Sequence, residues 1–313
     1  MTVLLGLVAA ASWGAADFMG GLAGRRTTND LSATIAFASQ FVGLAMFVVV
    51  APMFGGAMSG VDLLWSTSAG LSGAGGIMFL YRGLAIGRMG VVAPITGALA
   101  AAIPAAVSPV IGETPAALSW LGIGLALVAI VVVARQPDPA PTAAPATVPD
   151  TGVAGLDDSR SVETATVEPI PKTTPPPVAG LREAVLSGCG FAGVGVLLNA
   201  TSDASELLPF IPMKLVASVV LGMLVWRRRE QPREAAASWR LLVSAGVLDN
   251  AANVAYLFAL RGGVLAVAAT LASLYPVGTT LLARVVLDER LARLQQAGFG
   301  LALAAVLVIG LSQ

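Results

Sequence analysis

Residues 113–132 read ETPAALSWLGIGLALVAIVV, and residues 289–308 read ERLARLQQAGFGLALAAVLV. At a constant offset of 176 residues the two stretches agree at ten of twenty positions. Shared Leu and Ala are common among apolar helices, so those matches carry little weight. The spacing from an opening glutamate to Gly122 in one stretch and Gly298 in the other is harder to obtain by chance. It indicates an internal duplication, the mark of a repeat architecture.

The composition around these stretches is that of a membrane protein. The chain has 313 residues, of which 56% are hydrophobic and 12% charged, and its mean hydropathy is +0.83. A soluble domain usually carries about 25% charged residues, so this chain cannot cover itself with a solvated surface. Apolar stretches of about twenty residues, the length that crosses the hydrocarbon core, recur along the sequence. These features predict an all-α, multi-pass membrane protein.

Composition also excludes several classes of function. The 18 basic and 18 acidic residues balance and form no basic stripe, which argues against binding of nucleic acid. One cysteine, Cys189, and no histidine exclude an internal disulfide, a zinc site and histidine general-base catalysis. No segment resembles a nucleotide-binding loop, so we expect no cofactor, no metal and no direct use of ATP. Met1 is not followed by a positive segment, so the first helix is expected to stay in the membrane.

The chain divides into five apolar spans, a polar segment and five further spans. Residues 136–180 are rich in Pro, Ala, Thr and Asp, and we predict a disordered linker there. Five is an odd number, so the repeats at 1–135 and 181–313 would enter the membrane in opposite senses, an arrangement typical of secondary transporters. The ten predicted transmembrane helices lie near 3–22, 31–52, 63–83, 90–111, 116–134, 182–200, 207–226, 240–260, 264–286 and 291–311.

The arginines in the short loops predict the orientation. Nearly all of them lie on one side of the predicted bundle, and only Arg261 lies on the other. The positive-inside rule then places both termini outside and the linker in the cytoplasm. The residues on the arginine-rich side are Arg25, Arg26, Arg82, Arg88, Arg227, Arg228, Arg229, Arg233, Arg240, Arg284, Arg290 and Arg293.

This pattern resembles the drug/metabolite transporter superfamily, and within it the EamA-type proteins with two five-helix repeats. The residues that carry the resemblance are Trp13-Gly14, Tyr81, Tyr256, Pro276 and the repeated Glu113 and Glu289 with their glycines nine residues on. The resemblance covers the chain outside residues 136–180. It implies export or exchange of small metabolites through a central cavity between the repeats. Two features depart from the family pattern, since many relatives keep both termini in the cytoplasm and lack so long a linker.

Three ionisable residues fall inside predicted spans: Asp17, Lys214 and Asp249. Each costs roughly 2.5–3.5 kcal/mol on insertion scales, so each is a functional candidate. At 1.5 Å per residue, Lys214 lies roughly 4 Å to the outer side of mid-membrane and Asp249 roughly 1–2 Å to the inner side. We therefore expect Lys214 and Asp249 to pair. Asp17, roughly 7 Å to the inner side, has no cation at its level, and desolvation would favour its neutral form, which makes it a candidate proton carrier.

A polar stripe follows one face of the eighth predicted helix. Asp249, Asn253 and Tyr256 are spaced by four and three residues, with Asn250 alongside. Such a stripe must face the protein interior or water, because lipid would leave its polar groups unsatisfied. It predicts either the lining of a cavity or hydrogen bonds between helices. The same alternatives hold for Trp13, one turn before Asp17, which would either stack on a substrate or pack against another helix.

Three further residues have a structural interpretation. Glu113 and Glu289 precede the fifth and tenth helices, where a carboxylate complements a helix N-terminus. We therefore expect capping rather than ion coupling. Pro276 lies inside the ninth span beside Tyr275, and it predicts either a broken helix at the cavity or a packing kink. Tyr275 is a candidate for substrate binding.

The sequence thus predicts a secondary active transporter of a small polar or amino-acid-like metabolite or drug, acting by alternating access in the cytoplasmic membrane. Proton coupling through Asp17 is part of this prediction, and both a monomer and a homodimer are compatible with it. One alternative is a membrane scaffold that recruits a partner through its Pro-rich linker. The other is an intramembrane enzyme, which has few candidate residues for acid–base or metal chemistry. We therefore predict no enzymatic activity.

Overall fold

The computed structural model describes residues 1–24, 31–86, 89–133, 180–230, 233, 236–287 and 293–311. All long elements in these ranges are α-helices. The first half contains α1 (Thr2–Gly24), α2 (Ser32–Val50), α3 (Gly60–Ile86), α4 (Met89–Val107) and α5 (Ala117–Val133). The second half contains α6 (Leu181–Asn199), α7 (Phe210–Arg228), α8 (Trp239–Arg261), α9 (Leu265–Ala272), α10 (Tyr275–Leu287) and α11 (Arg293–Leu311).

The helices are apolar, and several are long enough to cross a bilayer. Six of them, in the ranges that the structure describes, combine a length of at least 18 residues with high hydropathy, and four further apolar helices are shorter. A helix closes all its backbone hydrogen bonds internally, which is why apolar spans fold this way in lipid. The predicted all-α membrane protein is therefore confirmed.

The pairing of helices is unchanged when the two halves of the chain are exchanged. Helix α1 packs against α8, and its counterpart α6 packs against α3. Helix α1 also contacts α9 and α10, as α6 contacts α4. Helices α2 and α7 pack against each other, and so do α5 and α11. Two five-helix repeats related by a pseudo-two-fold axis would produce this exchange symmetry.

The core lies where the halves meet. Phe47 on α2 and Phe210 on α7 are both fully buried and stack with their ring centroids 4.5 Å apart. Helices α3 and α6 approach more closely, because Gly76 and Gly190 face each other with no side chain between them. A Cβ added at Gly190 would collide with the backbone of Gly76, so glycine is required at this crossing.

The predicted spans agree with the helices except at the ninth. That span is divided into α9 and α10 by a turn at Ser273 and Leu274, so a broken helix replaces the continuous one. Of the predicted linker at 136–180, residues 136–179 lie outside the described residues, as do Arg25, Arg26 and Glu289. The assignment of the inner and outer faces stays a prediction.

Candidate functional site

A cavity opens between the two halves, at the middle of the bundle. It contains about 840 Å³ of atom-free space, its open mouth included, and helices from both halves line it. Most of its wall is apolar, but several polar and aromatic side chains converge on it. The polar ones are Asp17, Gln40, Lys214, Asp249, Asn253 and Ser273, and the aromatic ones are Trp13, Phe191, Tyr256 and Tyr275.

A buried ion pair stands at the centre of this wall. Lys214 on α7 is 1% exposed, and its Nζ lies 3.2 Å from Oδ2 of Asp249 on α8. The same Nζ donates a hydrogen bond of 3.0 Å to Oε1 of Gln40 on α2. A buried ammonium needs such partners, since an unpaired one would pay the full cost of leaving water. The structure therefore confirms the pair expected from membrane depth.

Gln40 and Lys214 occupy corresponding positions of the two repeats. Helices α2 and α7 pack against each other, so counterpart residues on their facing sides meet. An amide oxygen from one half thus accepts from an ammonium in the other. Gln40 was absent from the candidate site residues, although alignment of the second predicted helix on the seventh places it on Lys214. Counterpart residues of two repeats are expected to touch where the repeats meet at their pseudo-two-fold axis. The alignment of the two helices could therefore have identified Gln40 as a partner of Lys214.

The polar stripe on α8 divides between two surroundings. Asn253 lines the cavity and donates from Nδ2 to Oδ2 of Asp249 at 3.3 Å and to the backbone oxygen of Asp249 at 2.6 Å. Asn250 is fully buried, donates to the oxygen of Gly246 at 2.6 Å, and packs against Gly43 of α2. Asn250 is not among the residues that line the cavity. Of the two alternatives for the stripe, cavity lining describes Asn253 and helix packing describes Asn250.

Asp17 lies where two cavities adjoin. It lines the central cavity and also a smaller one between α1, α2, α3 and α8, which includes Tyr81 and Leu242. Asp249 lines both as well, and the carboxylates of Asp17 and Asp249 are close enough to interact electrostatically. Among the described residues, no cation forms an ion pair with Asp17. Asp249, in contrast, is paired with Lys214. This difference between the two aspartates is the one expected from their depths in the membrane.

The aromatic residues form a second feature of the wall. The rings of Trp13 and Tyr256 lie with their centroids 5.3 Å apart and their planes tilted by 59°. The hydroxyl of Tyr256 is directed at Gly195 of α6, where a larger residue would collide with it. Trp13 and Tyr256 therefore pack on each other, and both also line the cavity. The two alternatives for Trp13 are compatible with each other.

The break in the ninth span lies at the cavity wall. Ser273 and Tyr275, which flank the break, line the cavity, and Pro276 is the second residue of α10. Proline is tolerated in the first turn of a helix, where its missing N–H has no partner to lose. Broken helices at mid-membrane often mark binding sites in transporters. Of the alternatives for Pro276, the broken helix is therefore the one observed.

Glu113 caps a helix, but not the one predicted. Its Oε2 accepts a 2.6 Å hydrogen bond from the backbone N–H of Leu265, the first residue of α9, and its Oε1 accepts from Nδ2 of Asn199 at 3.3 Å. The expected cap on α5 is therefore wrong. The inverted arrangement brings the loop before α5 to the start of α9 in the other half. Helix pairing between repeats, which the local sequence does not encode, decides which N-terminus the carboxylate reaches.

Sequence reasoning also missed a network at the end of the bundle opposite the predicted linker. Asp62, at the start of α3, accepts hydrogen bonds from the backbone N–H of Ser202 at 2.7 Å and from its hydroxyl at 3.0 Å. Arg261, at the end of α8, donates to the Ser202 oxygen at 3.0 Å and lies 3.4 Å from Asp203. These contacts join the loop after α6 to both halves. Neither acidic residue stands within a predicted span, so no sequence signal singled them out.

An all-helical bundle with membrane-length apolar helices and a polar cavity between its two halves has the architecture of a multi-pass membrane protein. Residues 184–311 match the EamA-like transporter family. The match covers the second half of the chain, from α6 to α11, and agrees with the resemblance seen in the sequence. A match over these residues, together with helices of membrane length, is consistent with a membrane transporter of the drug/metabolite superfamily.

Comparison with solved structures extends the likeness of fold to the whole chain. One structure, titled "Crystal structure of protein", superposes with a TM-score of 0.71 at 16% sequence identity. The match covers 99% of this chain and 96% of that one. At this identity the similarity shows the fold alone. No curated protein matches the sequence.

Proposed function

We propose that this protein is a secondary active transporter that exports or exchanges a small polar or amino-acid-like metabolite, or a drug, across the cytoplasmic membrane. The observation that carries the proposal is the convergence of Asp17, Gln40, Lys214, Asp249 and Asn253 on one cavity between the halves. Polar groups at this depth are costly and are retained where a polar solute must be bound. Binding at the repeat interface is the usual plan of such transporters, and it needs no cofactor.

The two adjoining cavities support movement of the solute by alternating access. The central cavity and the smaller one share Asp17, Ile77 and Asp249. The smaller cavity extends toward Tyr81 and Leu242, near the ends of helices that carry Arg82 and Arg240. By the positive-inside rule that end faces the cytoplasm and both termini lie outside. Solute would enter from the cytoplasmic end, reach the two carboxylates and leave when the halves rock about the site.

The direct test is flux through purified protein in liposomes. Liposomes are loaded with a mixture of labelled amino acids, amines and nucleosides, and the compounds released are measured with and without a pH gradient. We expect selective release of a subset of the mixture above protein-free liposomes. Release that matches protein-free liposomes for every compound, from protein shown to be folded, would contradict the proposal.

Asp17 is the proposed proton carrier. A carboxyl group that lines the route and has no cationic partner among the described residues can gain and lose a proton as the halves alternate. The change Asp17→Asn should reduce pH-gradient-driven flux to background. Asp203→Asn is the control, because this side chain is 83% exposed at the end of the bundle. Full gradient-driven flux in the Asp17→Asn variant would eliminate Asp17 as carrier.

The linker and the orientation have tests of their own. Deletion of residues 136–180 should leave flux unchanged, whereas a scaffold that recruits a partner through the linker would lose its role. A tag on either terminus should be accessible from outside intact cells. Accessibility only after permeabilisation would reverse the proposed orientation.

A further inference from the structure

The charges around the central cavity do not cancel. Lys214 and Asp249 neutralise each other, and the ammonium of Lys214 also donates a hydrogen bond to the side-chain oxygen of Gln40. Asn253 supplies an additional hydrogen bond to Asp249. Asp17 adds a carboxyl to the same wall, and within the described part of the chain it has no cationic partner. With its proton released, the cavity carries one net negative charge.

The sole buried cation that lines this cavity, in the ranges that the structure describes, is already committed. Lys214 is 1% exposed, and its ammonium lies 3.2 Å from Asp249 and 3.0 Å from Gln40. Among the side chains of the described ranges, a cation could neutralise a substrate carboxylate only if Lys214 released Asp249. That exchange would leave a buried aspartate unpaired, which is strongly unfavourable. The cavity is therefore poorly suited to the carboxylate of an anion or of an amino acid.

The remaining wall suits the body of an amine. Trp13, one helical turn from Asp17, lies against Tyr256, and Phe191 and Tyr275 complete the aromatic lining. Aromatic faces attract cations through the quadrupole of the ring, most strongly where water is excluded. A carboxylate at one end and aromatic faces beside it fit a cationic nitrogen attached to an apolar or aromatic group.

We infer that the substrate is an organic cation, an amine with an apolar or aromatic body, whose charge Asp17 balances. This inference rests on the proposed transport function and narrows its solutes to amines, so that amino acids are no longer among them. It separates amines from the amino acids of the same skeleton, because the two differ only in the carboxylate that this cavity does not neutralise. The proton held by Asp17 leaves when the amine binds.

The experiment compares labelled tryptamine, tryptophan and indole by equilibrium dialysis against the full-length protein in detergent at neutral pH. Tryptamine is a cation there, tryptophan a zwitterion and indole neutral. We expect tryptamine to bind at least about tenfold more tightly than indole, which has no ammonium to donate to Asp17, and than tryptophan, whose carboxylate the cavity does not neutralise. Equal or tighter binding of tryptophan would overturn the inference on wild-type protein alone.

Variants then test whether Asp17 is the residue that binds the charge of the amine. Asp17→Asn should remove the preference for tryptamine over indole, Asp17→Glu should retain most of it, and Asp203→Asn should leave it unchanged. Tryptamine preference that survives in folded Asp17→Asn protein would also overturn the inference. Flux of the same probes in liposomes tests transport separately. Tryptamine binding without flux would support the inferred substrate class and contradict the transport function. Flux of tryptophan without binding of tryptamine would support the transport function and contradict the inferred substrate class.

Discussion

Helices α1 and α8 pack against each other across the two halves, and α3 and α6 do the same at the corresponding place in the duplication. The two interfaces share a backbone arrangement but differ in their side chains. Asp249 on α8 corresponds to Gly73 on α3, and both residues line the central cavity. Asp17 on α1 corresponds to Gly193 on α6. The predicted duplication would therefore supply two equivalent walls, and only the one formed by α1 and α8 carries charge at these positions.

The difference explains how a symmetric scaffold holds an asymmetric site. On α3 and α6 the glycines allow close backbone contact, and Ser72 donates to the oxygen of Gly190 at 2.8 Å. On α1 and α8 the wall carries larger polar and aromatic residues, among them Asp17, Trp13 and Tyr256. Substitutions at the two interfaces should accordingly have effects of different kinds.

The largest expected effect on stability follows from Lys214→Met. This change leaves Asp249 without its cation in surroundings where its side chain is 20% exposed, and breaking such a pair costs about 3–5 kcal/mol. Unfolding of the purified protein in detergent should show a loss toward the lower end of this range, because the cavity admits water to Asp249.

The matched control for Lys214→Met is the double variant Lys214→Met with Asp249→Asn. It removes both charges, so it should recover most of the lost stability. A double variant as unstable as the single one would mean that packing of the lysine stem, rather than the ion pair, accounts for the loss.

A smaller effect is expected at the glycine interface. Gly190→Ala places a methyl group against the backbone of Gly76, which cannot move aside as a side chain could. Overpacking of this kind costs about 1–3 kcal/mol. The control is Gly75→Ala on the same helix as Gly76, since a Cβ there meets no atom within 4 Å. If both variants unfold alike, close approach of α3 and α6 does not stabilise the fold.

Much of the fold could be predicted from the sequence, because the bilayer imposes it. Hydropathy places spans within a few residues of the observed helices, and the duplication indicates which helices correspond. The pair of Lys214 and Asp249 also follows, since depth along a helix is fixed by the rise per residue. Contacts between the two halves are harder to predict from the sequence. The cap of Glu113 on α9 and the contact of Gln40 with Lys214 depend on how the repeats dock, which neither repeat encodes alone.

The stripe on α8 shows the same limit within one helix. Periodicity places Asp249, Asn253 and Tyr256 on one face, and the structure adds that Asn250 turns toward α2. A helix in a bundle has several buried faces, so burial alone does not separate a cavity from a packing contact. The neighbouring helix determines which of the two applies. Asn250 packs against α2 because Gly43 has no side chain to block it.

The smallest effects should separate these two asparagines. Asn253→Ala removes a hydrogen bond to Asp249, which should cost about 1 kcal/mol of stability and weaken solute binding several-fold because Asp249 becomes less well held. Asn250→Ala removes a hydrogen bond within its own helix, and the Oδ1 of Asn250 has no hydrogen-bond partner among the described atoms. The stability should therefore change by less than about 1 kcal/mol, and solute binding should not change. Solute dissociation constants and unfolding curves for both variants give the comparison. Weaker binding in Asn250→Ala than in Asn253→Ala would place the site on the other face of α8, toward α2.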